Sequence, residues 1–520
     1  MVNKHPQFQS TMKDVFHGNS RLGFSSIEIL IATTVLVVVL SAVVLVSFGN
    51  QSLLIDSETS SEALTKAQEL IEQEQALARK DFKLVNPVSL SDGIYQKKID
   101  ITMPDFFTKK VTATVSWVGD PNRSLNVSLS ALVTNFENTI GGDTCSSALT
   151  GNWSAPQKIG NQDYTFGADL INDTAGIYPI TDLDAYKGKL YAVVNNQSVN
   201  VNQTFFVFDI SNQNVTPVFL GGVDNATGVA AGLNAVTVAE NTVTGKIYAY
   251  VANGYGANFA TCTQGAKCAQ FQVIDVSTPV SLSVVSSYNL KTLGMVTGAG
   301  GQAVGNSIFY SNGYIYLGLT KTASGPEFNI IDVRNPSSPK WVGGYVVGND
   351  VNAIYVKSNK YAYLATPNAQ ELIILDVSDP THPTPVGGFN SMDGAGNGKS
   401  VFVVGDRLYL GKTVPNAGND FHILDNTLPS AILPELTTLG ATDFGSSING
   451  LIVRDYLSFL LTNSELNILR TDNASAIGAY ASMSLTSANQ GRSLDCEGNY
   501  LYAGYINASS TGYVTVITAP

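Results

Sequence analysis

Histidine is nearly absent from this 520-residue chain: only His5, His17, His382 and His422 occur, the first two within the opening 23 residues. Two imidazoles without sequence partners cannot assemble a His-based metal site or serve most catalytic triads. A Gly-rich phosphate loop, a G-x-S-x-G elbow and an H-E-x-x-H pair are also missing. The chain is therefore not expected to be an enzyme, and no cofactor or metal is expected. Basic residues are few, 29 Lys and Arg against 41 Asp and Glu, giving a net charge of −12 with no basic cluster. That balance argues against a nucleic-acid partner. Charged residues make up only 13% of the sequence, whereas 44% is hydrophobic, with 47 Gly, 23 Tyr and 22 Phe. This is the composition of a β-rich, extracellular protein.

Cysteine is scarce too, and all four lie late: Cys145, Cys262, Cys268 and Cys496. An even number in an exported region reads as two disulfides. Cys262 and Cys268 bracket a short Thr-Gln-Gly-Ala-Lys loop and are expected to pair, which leaves Cys145 for Cys496. Zinc is the competing reading, but the spacing is not that of a C-x-x-C site.

One long hydrophobic run is present. From Ile29 to Phe48 there are 20 residues without a charge, long enough as a helix to span ~30 Å, the thickness of a bilayer core. Gly23-Phe24-Ser25-Ser26-Ile27-Glu28 precedes it, and a carboxylate beside such a run is a functional candidate by default. Lys4, Lys13 and Arg21 against Asp14 make the leader basic, which holds that side in the cytoplasm. A secretory signal would place its cleavage site after the apolar core, and a plain membrane anchor would explain neither Glu28 nor the Gly-Phe junction. The motif resembles the N-terminus of type IV prepilins, which usually read Gly-Phe-Thr-Leu-Ile-Glu. The resemblance implies cleavage between Gly23 and Phe24 by a prepilin peptidase, N-methylation of Phe24, and pairing of Glu28 with a neighbouring subunit's terminal amine.

Downstream, Leu53–Phe82 contains no Gly or Pro, and Ala63, Leu64, Ala67, Leu70 and Ile71 recur at helical spacing. Three alternating runs, Tyr95–Met103, Val111–Val118 and Leu125–Val133, read as strands. The Ala- and Glu-rich helix and the strand ending Val115-Ser116-Trp117 resemble minor pilins and I-type pseudopilins. The expected division is a leader at 1–23, a transmembrane and assembly helix at 24–82, a pilin β-sheet at 83–135 and a linker at 136–151.

Residues 152–520 repeat themselves. The unit is an apolar Tyr-containing strand, a second apolar strand closing on Asp, a Pro-rich turn, then Val-Gly-Gly-aromatic. The clearest copies are at 314–345 and 361–389. The Tyr recurs at 191, 248, 316, 363, 409 and 502, with Phe459 in the sixth copy, and periods of 43–68 residues suit propeller blades. Seven copies imply a seven-bladed β-propeller, and residues 152–160 are expected to complete the last blade. That closure would bring Cys145 to Cys496. The Asp-Val-x-x-Pro turns resemble LVIVD-repeat propellers. The repeated acids Asp209, Asp275, Asp332, Asp376 and Asp425 read as turn caps, with a cation-binding ring as the competing reading.

The fold class expected is thus multidomain, a pilin-like α+β segment followed by an all-β propeller. The function expected is that of a minor, tip-located pilus-like subunit whose propeller head serves adhesion or ligand binding. Its partners would be other pilin subunits, the prepilin peptidase, the inner membrane before assembly, and a surface glycan or protein. The alternatives are a pseudopilin-like component of a secretion or uptake machine whose propeller holds a secreted substrate, and a surface-held propeller hydrolase.

Overall fold

The computed structural model describes residues 26–80, 85–105, 108–119, 123–134, 145, 149–174, 176–195, 203–224, 232–254, 269–298, 302–367, 370–391, 396–413, 418–427, 435–454 and 457–520. Within the first of these stretches, side chains are described for 30–31, 33–44 and 57–78. The chain divides into two units, residues 1–102 with 110–133, and residues 103–109 with 134–520.

The first unit is an α-helix, Ser26–Lys80, and a four-stranded sheet. The helix buries Ala63, Ala67 and Leu70, three positions on one face at helical spacing, against Tyr95, Ile99, Val111, Ala113, Val115 and Trp117 of the sheet. Small residues on the helix let the aromatic pair Tyr95 and Trp117 approach edge to face, with ring centroids 6.0 Å apart. The Tyr95 hydroxyl donates to Glu62 Oε2 at 3.0 Å, which gives this inward ring a polar anchor on the helix. The sheet has one strand more than the sequence pattern implies. Val88–Asp92 pairs antiparallel with Tyr95–Asp105 around a Gly93 turn, and all five of its residues are exposed, so it lacks the buried alternation by which the others are recognised. Among the described residues no helix is long and apolar enough to cross a membrane. Of the run Ile29–Phe48, side chains are described only within 30–44, where ten large apolar residues, Leu30 to Val44, are each 47–66% exposed.

Among the described residues the second unit contains seven antiparallel sheets. Their innermost strands are Ile180–Tyr186, Leu233–Glu240, Gly305–Ser311, Ala353–Lys357, Gly398–Val404, Gly450–Arg454 and Ala488–Glu497. Each touches the next, and the seventh touches the first, so the sheets close a ring of β-propeller type. The Tyr-containing strand is second from the axis rather than first. The repeat read from the sequence starts one strand late, because the true first strand mixes polar and apolar residues.

Two repeated sequence features meet between sheets. In each of the first six sheets the outermost strand carries a β-bulge. The residue after it is Gly221, Ser286, Gly343, Gly387, Gly440 or Ala481. A side chain on Gly343 would lie 2.2 Å from Pro380 O in the Pro-rich turn of the following sheet, and one on Gly221 would lie 2.4 Å from Pro279 O. Ser286 makes the equivalent approach through its hydroxyl, which donates to Pro336 O at 2.6 Å. The Val-Gly-Gly element is therefore the socket, and the next sheet's turn is what seats in it.

The seventh sheet, Ala488–Glu497, Tyr500–Asn507 and Gly512–Thr518, takes its outer strand from the beginning of the unit. Gln157–Lys158 pairs with Thr518 and Ile517, and Tyr164–Thr165 pairs with Val514 and Tyr513. Asn152 N donates to Pro520 O at 3.0 Å. Trp153 is 1% exposed and lies edge to face with Phe459, centroids 5.0 Å apart.

Candidate functional site

The residues singled out by sequence fall in different places. Gly23, Phe24, Cys262 and Cys268 lie outside the described residues. Glu28 belongs to the long helix, but its side chain is not described. Cys145 and Cys496 are joined in a disulfide with Cα atoms 5.1 Å apart, and Cys145 bridges to Gly498 beside it. Asp495 lies close to both sulfurs, but sulfurs committed to each other cannot act as thiolate ligands. Among the described residues no other group of three His, Cys, Asp or Glu gathers in this way.

The five repeated acids are turn caps. Asp209, Asp275, Asp332, Asp376 and Asp425 each accept a hydrogen bond from the backbone N–H two residues on, at 2.8–3.0 Å. Hydrogen bonds from the side chains of Ser211 and Thr427, and then from their backbone N–H groups, hold the carboxyls of Asp209 and Asp425 below their ordinary range. A second acid series was not legible in the repeat. Glu327, Glu371 and Asp420 stand just before the third strand of their sheets and are almost fully buried. They accept from the backbone N–H groups of Val347 and Gly348, of Ser391, and of Phe444 and Ser446 respectively. Glu371 is also paired with the buried Lys412 at 3.2 Å. His382 is on an exposed turn, bonded to Thr381. His422 is buried in the fifth sheet, with its Nε2 3.1 Å from Asn419 O and its ring against Phe389.

The site that sequence reading missed is at the axis, where a cavity of about 300 Å3 opens between the innermost strands. Each strand contributes one residue at the same place. Thr181, Asn234, Asn306, Lys399 and Arg492 occupy β-bulges, and Asn352 and Asn449 stand just before their strands. All seven line the cavity. A bulge turns the side chain out of the ladder, which explains how a residue inside a paired strand faces the axis.

Most of these residues stitch one sheet to the next. Thr181 Oγ1 donates to Leu233 O, and the side-chain amides of Asn234, Asn306 and Asn352 donate to Gly305 O, Val351 O and Gly398 O, at 2.6–2.9 Å. The series then breaks. Lys399 makes no such bond, and only its neighbour Ser400 donates to Ile448 O, at 2.9 Å, as Ser307 beside Asn306 donates to Val351 O. Asn449 donates to Ser447 O and Asn463 Oδ1 rather than to the next sheet, and Arg492 is the third exception: its Nε is buried without a hydrogen-bond partner. Burial, and then the charge of Arg492, push the Lys399 ammonium below its ordinary range, opposed by Asp350. Burial likewise depresses Arg492.

Acids line the same axis. Asp182 accepts from Leu183 N, Val236 N and Ser493 Oγ, yet burial pushes it up to about 6. Asp184 accepts from Val238 N at 2.8 Å and Asp495 from Ala185 N at 2.5 Å. Burial raises both, and the Asp495 charge raises Asp184 further. Asp182 and Asp184 thus tie the first sheet to the second, and Asp182 through Ser493 and Asp495 through Ala185 tie it to the seventh. The cavity therefore offers unpaired positive charge, amide and hydroxyl groups, and acids that are already committed.

Comparison with known proteins identifies LVIVD repeats at residues 305–347 and 350–391. No curated protein matches the sequence. Among solved structures, the chain is similar to a catalytically inactive virginiamycin B lyase from Staphylococcus aureus with quinupristin, with a TM-score of 0.46 and 11% identity over 69% of this chain and 99% of that one. It is similar to the AfRom2 CNH domain, at 0.41 and 8% over 70% and 99%. It is also similar to the N-terminal domain of Nup159, at 0.40 and 9% over 72% and 98%.

Proposed function

We propose that this protein, with its LVIVD repeats, is a pilin-class subunit that presents the ring as a ligand-binding head at the cell surface. The observation that supports the reading most is the uneven burial along one helix. Residues near Ala63–Leu70 are covered by their own sheet, whereas the ten large apolar residues described between Leu30 and Val44 are all exposed. A surface of that extent needs lipid or neighbouring apolar helices around it, and a pilus-like assembly supplies first one and then the other. Cleavage between Gly23 and Phe24 would release the helix for assembly, and Glu28 at its head would pair with a neighbour's terminal amine. A ring of this size favours a minor, tip-located position over a repeated one, and neither catalysis nor nucleic-acid binding enters the reading.

Mass spectrometry of the mature protein is expected to find an N-terminus at Phe24, methylated, and Glu28→Ala is expected to fold but to be excluded from fibres. An N-terminus elsewhere, together with a variant that assembles normally, would overturn the reading.

A further inference from the structure

We propose that the axial cavity is an oxyanion-binding site, in which Lys399 and Arg492 hold a carboxylate or phosphate-type group and the ring of amides takes up the polar atoms beside it. The inference rests on the reading of the ring as a binding head and is independent of the amino-terminal segment.

Elsewhere in the ring, lysines drawn into the interior are paired with buried acids. Lys412, fully buried, is paired with Glu371 and also donates to Ser391 Oγ at 2.5 Å. Lys158 is paired with the buried Asp163 at 2.7 Å. Lys399 and Arg492 receive no such treatment among the described residues, although both are half-buried and line the same cavity. Burying an unpaired cation is costly, and here two are set close enough for Arg492 to depress Lys399. An anion between them would remove both the desolvation penalty and the mutual repulsion.

Position supports the same conclusion. Four of the seven equivalent sites are Asn, and three of those, with Thr181, tie adjacent sheets together. Lys399 and Arg492, like Asn449, lack that bond to the next sheet, and unlike Asn449, which donates to Ser447 O and Asn463 Oδ1, Arg492 leaves its Nε without a hydrogen-bond partner. The nearby acids do not neutralise them. Asp182 has its oxygens engaged by Leu183 N, Val236 N and Ser493 Oγ. Asp350 accepts from Lys321 N at 2.7 Å and acts on Lys399 only from beyond ion-pair distance. A metal cation is disfavoured by the same pair of charges. The volume, about 300 Å3, is at the small end of ligand pockets. It suits one sugar acid, a small organic acid or a phosphorylated group rather than a folded segment. The side-chain amides of Asn306, Asn352, Asn449 and Gln490 suit hydroxyl-bearing ligands.

The test is calorimetric titration of the intact protein with sodium glucuronate, with inorganic phosphate and with neutral glucose, at constant ionic strength. One or both anions should bind and raise the melting temperature, and glucose should do neither. Lys399→Met and Arg492→Gln should each weaken binding at least tenfold while melting no lower than wild type, because each removes an unpaired charge. Lys340→Met, at an exposed lysine, should bind as wild type. Binding of glucuronate alone points to an acidic glycan or organic acid, and binding of phosphate alone to a phosphorylated ligand. The proposal is overturned if neither anion binds wild type, if glucose binds equally well, or if both variants retain wild-type affinity. Should a variant fail to fold, the wild-type titrations against glucose still decide. None of these failures would touch the mature N-terminus, which tests the other half of the proposed function.

Discussion

Single residues in this protein divide into those that complete the ring and those left over. Asp182 is of the first kind, yet its carboxyl sits at about 6 against about 3.9 for an unfolded Asp. Its folded-state value is raised, so the stability it contributes is fully present below about pH 4 and is lost as pH rises through about 6. Comparing Asp182→Asn with wild type by urea unfolding, the variant should gain relative stability between those values and then level off. A difference constant from pH 4 to 8 would contradict the assigned burial. The turn-capping acids Asp209, Asp275, Asp332, Asp376 and Asp425 were legible, because each closes a strand ahead of a turn and so reads first as local chemistry. The entry acids Glu327, Glu371 and Asp420 and the axial Lys399 and Arg492 were not. Their chemical types vary from copy to copy, and only pairing register shows that they are equivalent.

Elements carry the repeat through the bulge on each outer strand. The sequence displayed Val-Gly-Gly and the Pro-rich turn as separate signatures, and it takes the ring to show that one fits into the other. Gly343→Ala would put a methyl group 2.2 Å from the backbone oxygen of Pro380, and neither side can yield without moving a strand. Such overpacking typically costs about 1–3 kcal/mol. Gly478→Ala, also in an outer strand but with nothing within 4 Å of the added atom, should be close to neutral. Equal melting temperatures for the two variants would show that the socket is unimportant. The strand Val88–Asp92 escaped notice for the opposite reason: it is exposed throughout, so no burial pattern marks it.

At the scale of the whole molecule, the seam holds the ring together. The repeat count and the incomplete last copy made closure legible, and the pairing of Gln157–Lys158 with Ile517 and Thr518 realises it. What could not be read was how much besides the disulfide holds the seam. Trp153 is buried against Phe459, and Thr150 and Asn499 exchange two hydrogen bonds at 3.1 and 2.9 Å. Trp153→Ala should therefore cost about 3–5 kcal/mol, and limited trypsin treatment should cut first at Lys158. Cys145→Ser should lower the melting temperature, by at most about 5 kcal/mol of stability in the chain-entropy model, while leaving Lys158 protected. A first cut within another sheet of Trp153→Ala would place the weak point elsewhere. The seam also sets a timetable. Each of the first six sheets is contiguous in the chain and can form as soon as its own residues exist. The strand at 157–158 is made before the seven inner strands and waits for Gly512–Thr518, so the ring stays an open arc until that strand arrives. Through that interval the waiting strand and the bare edge of the arc are open to pairing with another copy, and the Cys145–Cys496 bond can record only an event that has already happened.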